Sequence, residues 1–263
     1  MGSSHDVLEV IPGAVRSAAC ALLLFATACG GDADREQTSA VVPEDAVAPA
    51  ARAAAIADEY VTGYYHQFPE EAYETGFPAP LDRVGDRSLV ALAAWESRED
   101  AWLAALREID PTQLEGTDAA VPYAFARERL EAATARRVCR TELWNVSPTW
   151  TSWHNFFPNV FAQQPVGTEL ARANALARAR DVPRFIDTEI ANFRRGVELG
   201  YTAPRSNVEA VIGQLDALLS MPPEQTPWFD PANRDGEAEF SAELRSVVAD
   251  EIVPATRRMR DYL

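Results

Sequence analysis

The sequence predicts an all-α protein, and three observations carry that expectation. After residue 50, apolar residues recur every three or four positions through most of the chain, as they do along one face of a helix. Ser, Thr or Asp stands ahead of these stretches and Gly or Pro follows them, in the places that start and stop helices. A short stretch near Val138 to Val146 is the only one that reads as a strand. Helices packed as antiparallel pairs with short connections are the architecture that follows.

Each element has its own signal. Ala51 to Gln67 places Ile56, Tyr60, Val61 and Tyr64 on one helical face. Phe68 to Asp86 is broken by Pro and Gly and reads as loop. Ser88 caps a helix reaching Ile109, with Leu89, Leu92, Trp95, Trp102, Leu103 and Leu106 inward, and Asp110-Pro111 ends it. Thr117 or Asp118 starts the next, which tolerates Pro122 in its first turn and runs to about Arg137. Thr168 caps a helix to about Arg180. Asp181 caps a further one, with Pro183 in its first turn and Gly200 as its stop. Ala203 to Leu219 is entered through Pro204, Met221 to Gly236 reads as a Pro/Trp loop, and Ser241 to Leu263 is a last helix interrupted at Pro254. That helix reaches Leu263 in mid-course, with no cap or polar tail, so the expectation is a fragment of a longer protein.

The first 28 residues read as a signal segment rather than fold. Ala18 to Ala28 is apolar but too short to span a bilayer as a mature helix, and Arg16 precedes it. Ala26-Thr27-Ala28-Cys29 resembles a bacterial lipobox, which implies cleavage before Cys29 and acylation of its thiol. Ala26 stands where Leu is usual, and Asp6 and Glu9 stand where positive charge is expected. Lipid on Cys29 would anchor the chain in the bacterial cell envelope by burying acyl carbons, each CH₂ contributing about 0.8 kcal/mol. Residues 29–50, rich in Gly, Asp, Ser, Thr, Pro and Ala, read as a flexible tether, leaving 51–263 as the folded part. Removal of Cys20 with the signal leaves Cys139 as the one free thiol, expected as a small buried apolar group, and no internal disulfide.

Composition excludes several chemistries. All 24 basic residues are arginine, so Schiff-base and lysine-nucleophile mechanisms are closed to this chain. A net charge of −16 argues against nucleic-acid binding, which needs a basic surface to displace counterions. No H-E-x-x-H, no G-x-S-x-G, no phosphate-binding Gly loop and no Cys/His pair with metal spacing occurs. Of the three histidines, His5 lies in the signal, His66 reads as a helix-end residue, and His154 sits in an aromatic segment. No catalytic residue and no metal ligand is assignable, and the many carboxylates read as solvated helix faces.

That aromatic segment, Leu143 to Thr168, holds Trp144, Trp150, Trp153, Phe156, Phe157 and Phe161 between Pro148, Pro158 and Pro165. Rings left in water forfeit roughly 1.5–3 kcal/mol each, and the prolines oppose a single regular helix. Irregular backbone pinned against a core, or lining a cleft, is the expectation.

Leu143-Trp144-Asn145-Val146-Ser147-Pro148, Ala162-Gln163-Gln164-Pro165-Val166-Gly167-Thr168 and Arg178-Ala179-Arg180-Asp181-Val182-Pro183-Arg184-Phe185-Ile186-Asp187 follow one another in an order that resembles the bacterial family catalogued as domain of unknown function 885. Gly196 to Arg205, Val211 to Leu215 and the opening Ala57-Asp58-Glu59-Tyr60 are similar to further blocks of it. The resemblance implies an α-helical, zincin-like fold allied to metallopeptidases. It also implies zinc held by an H-E-x-x-x-G-H type helix in a C-terminal half that this chain does not match, so zinc is expected only with that half. What then remains is scaffold and one wall of a substrate cleft. Trp144, Asn145, Trp150, His154 and Gln164 are expected to face a peptide there, since amides pair with an extended backbone while rings cover apolar side chains. The alternative is a non-enzymatic all-α envelope lipoprotein that binds a protein or peptide partner, with the rings packing helix on helix.

Overall fold

A computed structural model describes residues 44–263, and the described residues hold nine α-helices and no strand. The all-α expectation holds. The expected signal segment, Cys29 and most of the expected tether lie outside the described residues.

The first helix, α1 (Glu44–Gln67), begins well ahead of Ala51 and runs through Pro49. The Ala-rich sequence after Pro49 has the highest helix propensity available and carries the helix back over the proline. A 3₁₀ turn, Pro69–Glu74, opens the stretch expected as loop. Ser88 caps α2 (Leu89–Arg107) as expected, its hydroxyl accepting from the Ala91 amide at 3.2 Å. With α3 (Ala120–Arg136), α1 and α2 close a three-helix bundle. Its core contains Ile56, Tyr60, Phe68, Trp95, Trp102, Leu106, Tyr123 and Leu130.

Three expectations need correction between residues 137 and 200. The stretch near Val138 to Val146 is not a strand. It forms two 3₁₀ turns, Arg137–Cys139 and Thr141–Leu143, joined at Arg140 in the left-handed conformation (φ 47°), and these leave Cys139 exposed rather than buried. Within the aromatic segment, residues 153–163 form a regular helix, α4 (Trp153–Gln163), despite Pro158. Burial of Trp153, Phe157, Val160 and Phe161 on one face outweighs the single lost hydrogen bond. The two helices expected to meet at Asp181 are one, α5 (Glu169–Glu198), about 45 Å long. Pro183 lies inside it, and Asp181 is not a cap. Its carboxylate accepts the Val84 amide at 3.0 Å and pairs with Arg184 at 2.6 Å.

The remaining elements pack around α5. They are α6 (Arg205–Leu219), the short α7 (Asp230–Asp235) inside the stretch expected as loop, α8 (Ala238–Val247) and α9 (Val253–Tyr262). The interruption expected at Pro254 is a π turn, Val248–Ile252, which widens the helix just ahead of the residue that lacks an amide hydrogen. Together with α4 they bury a second core, including Phe157, Phe161, Ile186, Leu215, Trp228, Leu244 and Met259. Gly196 lets the Leu143 carbonyl lie directly against α5, since any Cβ there would fall on that oxygen.

The connection between α1 and α2 is fastened to α5 by side chains. Arg178, buried and with no carboxylate of the described residues in ion-pair reach, donates to the carbonyls of Pro80 (2.6 Å) and Arg83 (3.1 Å) and to Gln164 Oε1 (2.6 Å). Burial pulls its pKa down to about 10, against the pull of Glu70 and Asp82. Asn192 holds the Arg87 carbonyl at 2.8 Å. This strap delivers Arg87 to the space between the two cores.

Candidate functional site

A cavity of about 840 Å³ lies between the two cores. Residues between Tyr64 and Arg137 give it a charged wall. Glu70 is buried, and its carboxylate accepts from Arg87 Nη2 at 2.9 Å and from the Gly85 amide at 2.8 Å. Glu71 accepts from the same nitrogen at 3.2 Å and receives a short hydrogen bond from the Tyr64 hydroxyl. Burial works against the Arg87 charge, but Glu70 and then Glu71 outweigh it and hold the guanidinium more firmly protonated than usual. The same group sits 4.3 Å from the Phe68 ring centroid. Burial, and next the Glu71 charge, push the Tyr64 phenol above its ordinary range. Further along, Glu99 accepts from Trp95 Nε1 at 2.8 Å and from Arg137 Nη2 at 2.9 Å.

The opposite wall is mostly apolar. Trp153, Phe156 and Phe157 come from α4, Phe185 and Phe193 from α5, Val211 from α6 and Met259 from α9. One carboxyl interrupts it. Glu189 lies on α5 one turn from Phe185 and one turn from Phe193, and burial, opposed by Arg87, pushes its pKa up to about 7.

The structure brings three of the five expected residues to this cavity. Asn145 and Trp150 line it from the segment between Leu143 and α4, and the Trp150 ring is 70% exposed. Short polar bonds shape that segment: Ser147 and Thr149 hydroxyls meet at 2.8 Å, and Asn155 Nδ2 donates to the Pro148 and Thr149 carbonyls at 3.2 and 3.1 Å. His154 also lines the cavity. Its Nε2 lies 2.8 Å from Gln214 Oε1, and burial pulls its pKa down, opposed by that bond. Trp144 is not among the lining residues, and its indole nitrogen donates to the Cys139 carbonyl at 2.8 Å. Gln164 is 1% exposed and engaged with Arg178 and with the Leu81 carbonyl (3.0 Å), so it serves the strap rather than the cavity.

Glu70, Glu71, Arg87, Glu99 and Glu189 are among the lining residues that sequence reasoning missed. Glu189 alone left a usable signal, an acid on the apolar stripe Phe185, Ile186, Ile190 and Phe193 of an amphipathic helix.

Residues 69–263 match the family model described as bacterial protein of unknown function (DUF885). The chain belongs to that family. The match begins at Pro69, so the Ala57–Tyr60 block lies ahead of it. No curated protein matches the chain.

A zinc ion does not fit the side chains present. Among the described residues, no three His, Cys, Asp or Glu side chains gather as a metal site needs. His154 is committed to Gln214, and His66 lines a different, open cavity beside Arg83 and Arg184.

Proposed function

We propose that this chain forms the scaffold and substrate-binding cleft wall of a zinc-dependent, peptidase-like hydrolase of the bacterial cell envelope, anchored by lipid on Cys29. The observation that carries the reading is the cavity between the two cores. At about 840 Å³ it falls in the range of sites that enclose small ligands, and it combines a charged wall with an aromatic one. Trp150 supports the same reading. A large ring left 70% exposed beside a cavity forfeits burial that only a ligand would restore.

In this reading an extended peptide lies along the cleft. Asn145 offers an amide to its backbone, Trp150 covers an apolar side chain, and the walls exclude water. The expectation of zinc comes from the family resemblance alone.

Titration of the full chain with short apolar peptides, followed by tryptophan fluorescence, tests the cleft. Binding is expected, and Trp150→Ala should weaken it about tenfold without changing thermal stability. Absence of binding, or binding indifferent to Trp150, sinks the reading. For hydrolysis, the natural gene product should cleave such peptides in a manner abolished by chelation and restored by zinc. Peptide binding with no cleavage would favour a non-enzymatic envelope module. Lipidation is tested by incorporation of labelled fatty acid, which Cys29→Ser should abolish.

A further inference from the structure

The carboxylates of the charged wall are largely spoken for. Glu70 and Glu71 close on Arg87, and Glu99 closes on Trp95 and Arg137. Glu96 also lines the charged wall without a side-chain partner among the described residues, and what sets Glu189 apart is its place on the apolar wall. Among the described residues it makes no hydrogen bond and has no arginine in ion-pair reach, although its side chain faces the cavity from an apolar wall. Withdrawing a carboxyl part-way from water without a partner, as at half-buried Glu189, costs folding free energy, and a cleft is where such a cost has a use.

The local charge count points to what is missing. Glu70 and Glu71 both close on the Arg87 guanidinium, and Glu189 feels its charge without pairing with it. Arg129, which also lines the cavity, is drawn first to the Tyr60 hydroxyl and less to Glu71. Among the described residues Glu189 is the one acidic side chain of the apolar wall, and no cation lies within ion-pair reach of it. A metal ion is a poor candidate, because no three acid, His or Cys side chains of the described residues converge. An ammonium or guanidinium needs only one carboxylate and gains from ring faces beside it. Phe185 and Phe193 supply rings one turn to either side of Glu189.

We propose that Glu189 is the recognition group for one organic cation on a peptide ligand, an ammonium or a guanidinium, seated between Phe185 and Phe193. This rests on reading the cleft as a peptide site. The elevated pKa agrees with it, since withdrawal from water favours the neutral carboxyl and the Arg87 charge offsets that only in part.

The test is isothermal titration of the full chain with three peptides on one Ala/Phe frame. One is blocked at both ends and carries citrulline, one is blocked and carries arginine, and one carries citrulline with a free amino terminus. At least one cationic peptide should bind about tenfold more tightly than the blocked citrulline peptide, and which one does so identifies the source of the cation. Glu189→Gln mimics the protonated carboxyl and should fold, as circular dichroism would check. It should bring the cationic peptides down to the neutral affinity and leave the neutral peptide unchanged. Equal affinities across the three peptides overturn the proposal while leaving the cleft intact, as does a cationic preference that survives Glu189→Gln. Failure of all three to bind overturns the cleft reading and this inference with it.

Discussion

The two cores that face each other across the cleft are both rich in rings but hold them differently. In the α1–α3 bundle the rings are amphipathic and tied to charges. Trp95 donates to Glu99, Trp102 donates to Glu59 at 3.2 Å, and the Arg98 guanidinium lies 4.7 Å from the Trp102 ring. Around α5 the rings pack mostly on one another. Trp228 stacks on Trp153 at 6.2 Å and meets Phe161 edge-on at 5.3 Å. The difference teaches where the cleft gets its chemistry. Charge comes from a wall that needs it structurally, whereas the one carboxyl of the apolar wall, Glu189, has no structural task.

The largest effect should come from the ring-on-ring side. Trp228 is 1% exposed and touches rings from α4 alone on three sides. Trp228→Ala should cost about 3–5 kcal/mol, read as a fall in denaturant midpoint. Trp95→Phe is the matched change in the bundle. It keeps the ring and removes only the donor to Glu99, so a loss as large as that of Trp228→Ala would break the contrast between the two cores.

Gly196→Ala comes next, at about 2–3 kcal/mol, because the new Cβ would meet the Leu143 carbonyl, a backbone atom unable to yield alone. The same shift would move Asn145 and Trp150, so peptide binding should fall along with stability. A variant of unchanged stability would mean that this segment is loosely held.

Much of this frame was legible in the sequence. Ser88, Thr168 and Gly200 marked helix ends correctly because capping is local chemistry, readable within a few residues. Pro49, Pro158 and Pro183 misled, since each lies inside a helix held by tertiary burial that no local rule reports. Within the site, Trp150 and Asn145 showed as polar and aromatic residues on irregular backbone. Glu70, Arg87 and Glu189 are 17 or more residues from one another, and the strap across α5 brings them together.

A smaller effect, of the opposite sign, is expected at Glu189. Its folded pKa of about 7 lies above the ordinary carboxylate value of roughly 4.3. Between those values the folded state holds the proton more tightly than the unfolded one, so stability falls as pH rises through the window, and the penalty is complete above about pH 7. Glu189→Gln removes it. The variant should gain about 2 kcal/mol over the parent at pH 8 and almost nothing at pH 4, measured by denaturant melts at both. An equal gain at the two pH values would mean that the carboxyl is solvated and that the contrast between the walls is overdrawn.

The smallest effect tests whether the two regions are energetically separate at all. Ser88 and Thr168 make the same bond in different regions, each hydroxyl accepting from the amide three residues on at 3.2 Å. Replacing either by Ala should cost about 1 kcal/mol. The strap from Pro80 to Arg87, fixed to α5 by Arg178, Asp181, Arg184 and Asn192, links the bundle to the body through partly buried bonds that neither can keep alone. The two should therefore unfold together. Either substitution should speed exchange of the slowest amides in both cores by about fivefold. If Ser88→Ala speeds exchange in the bundle alone, the bundle opens by itself and the cleft can widen without loss of the body's core.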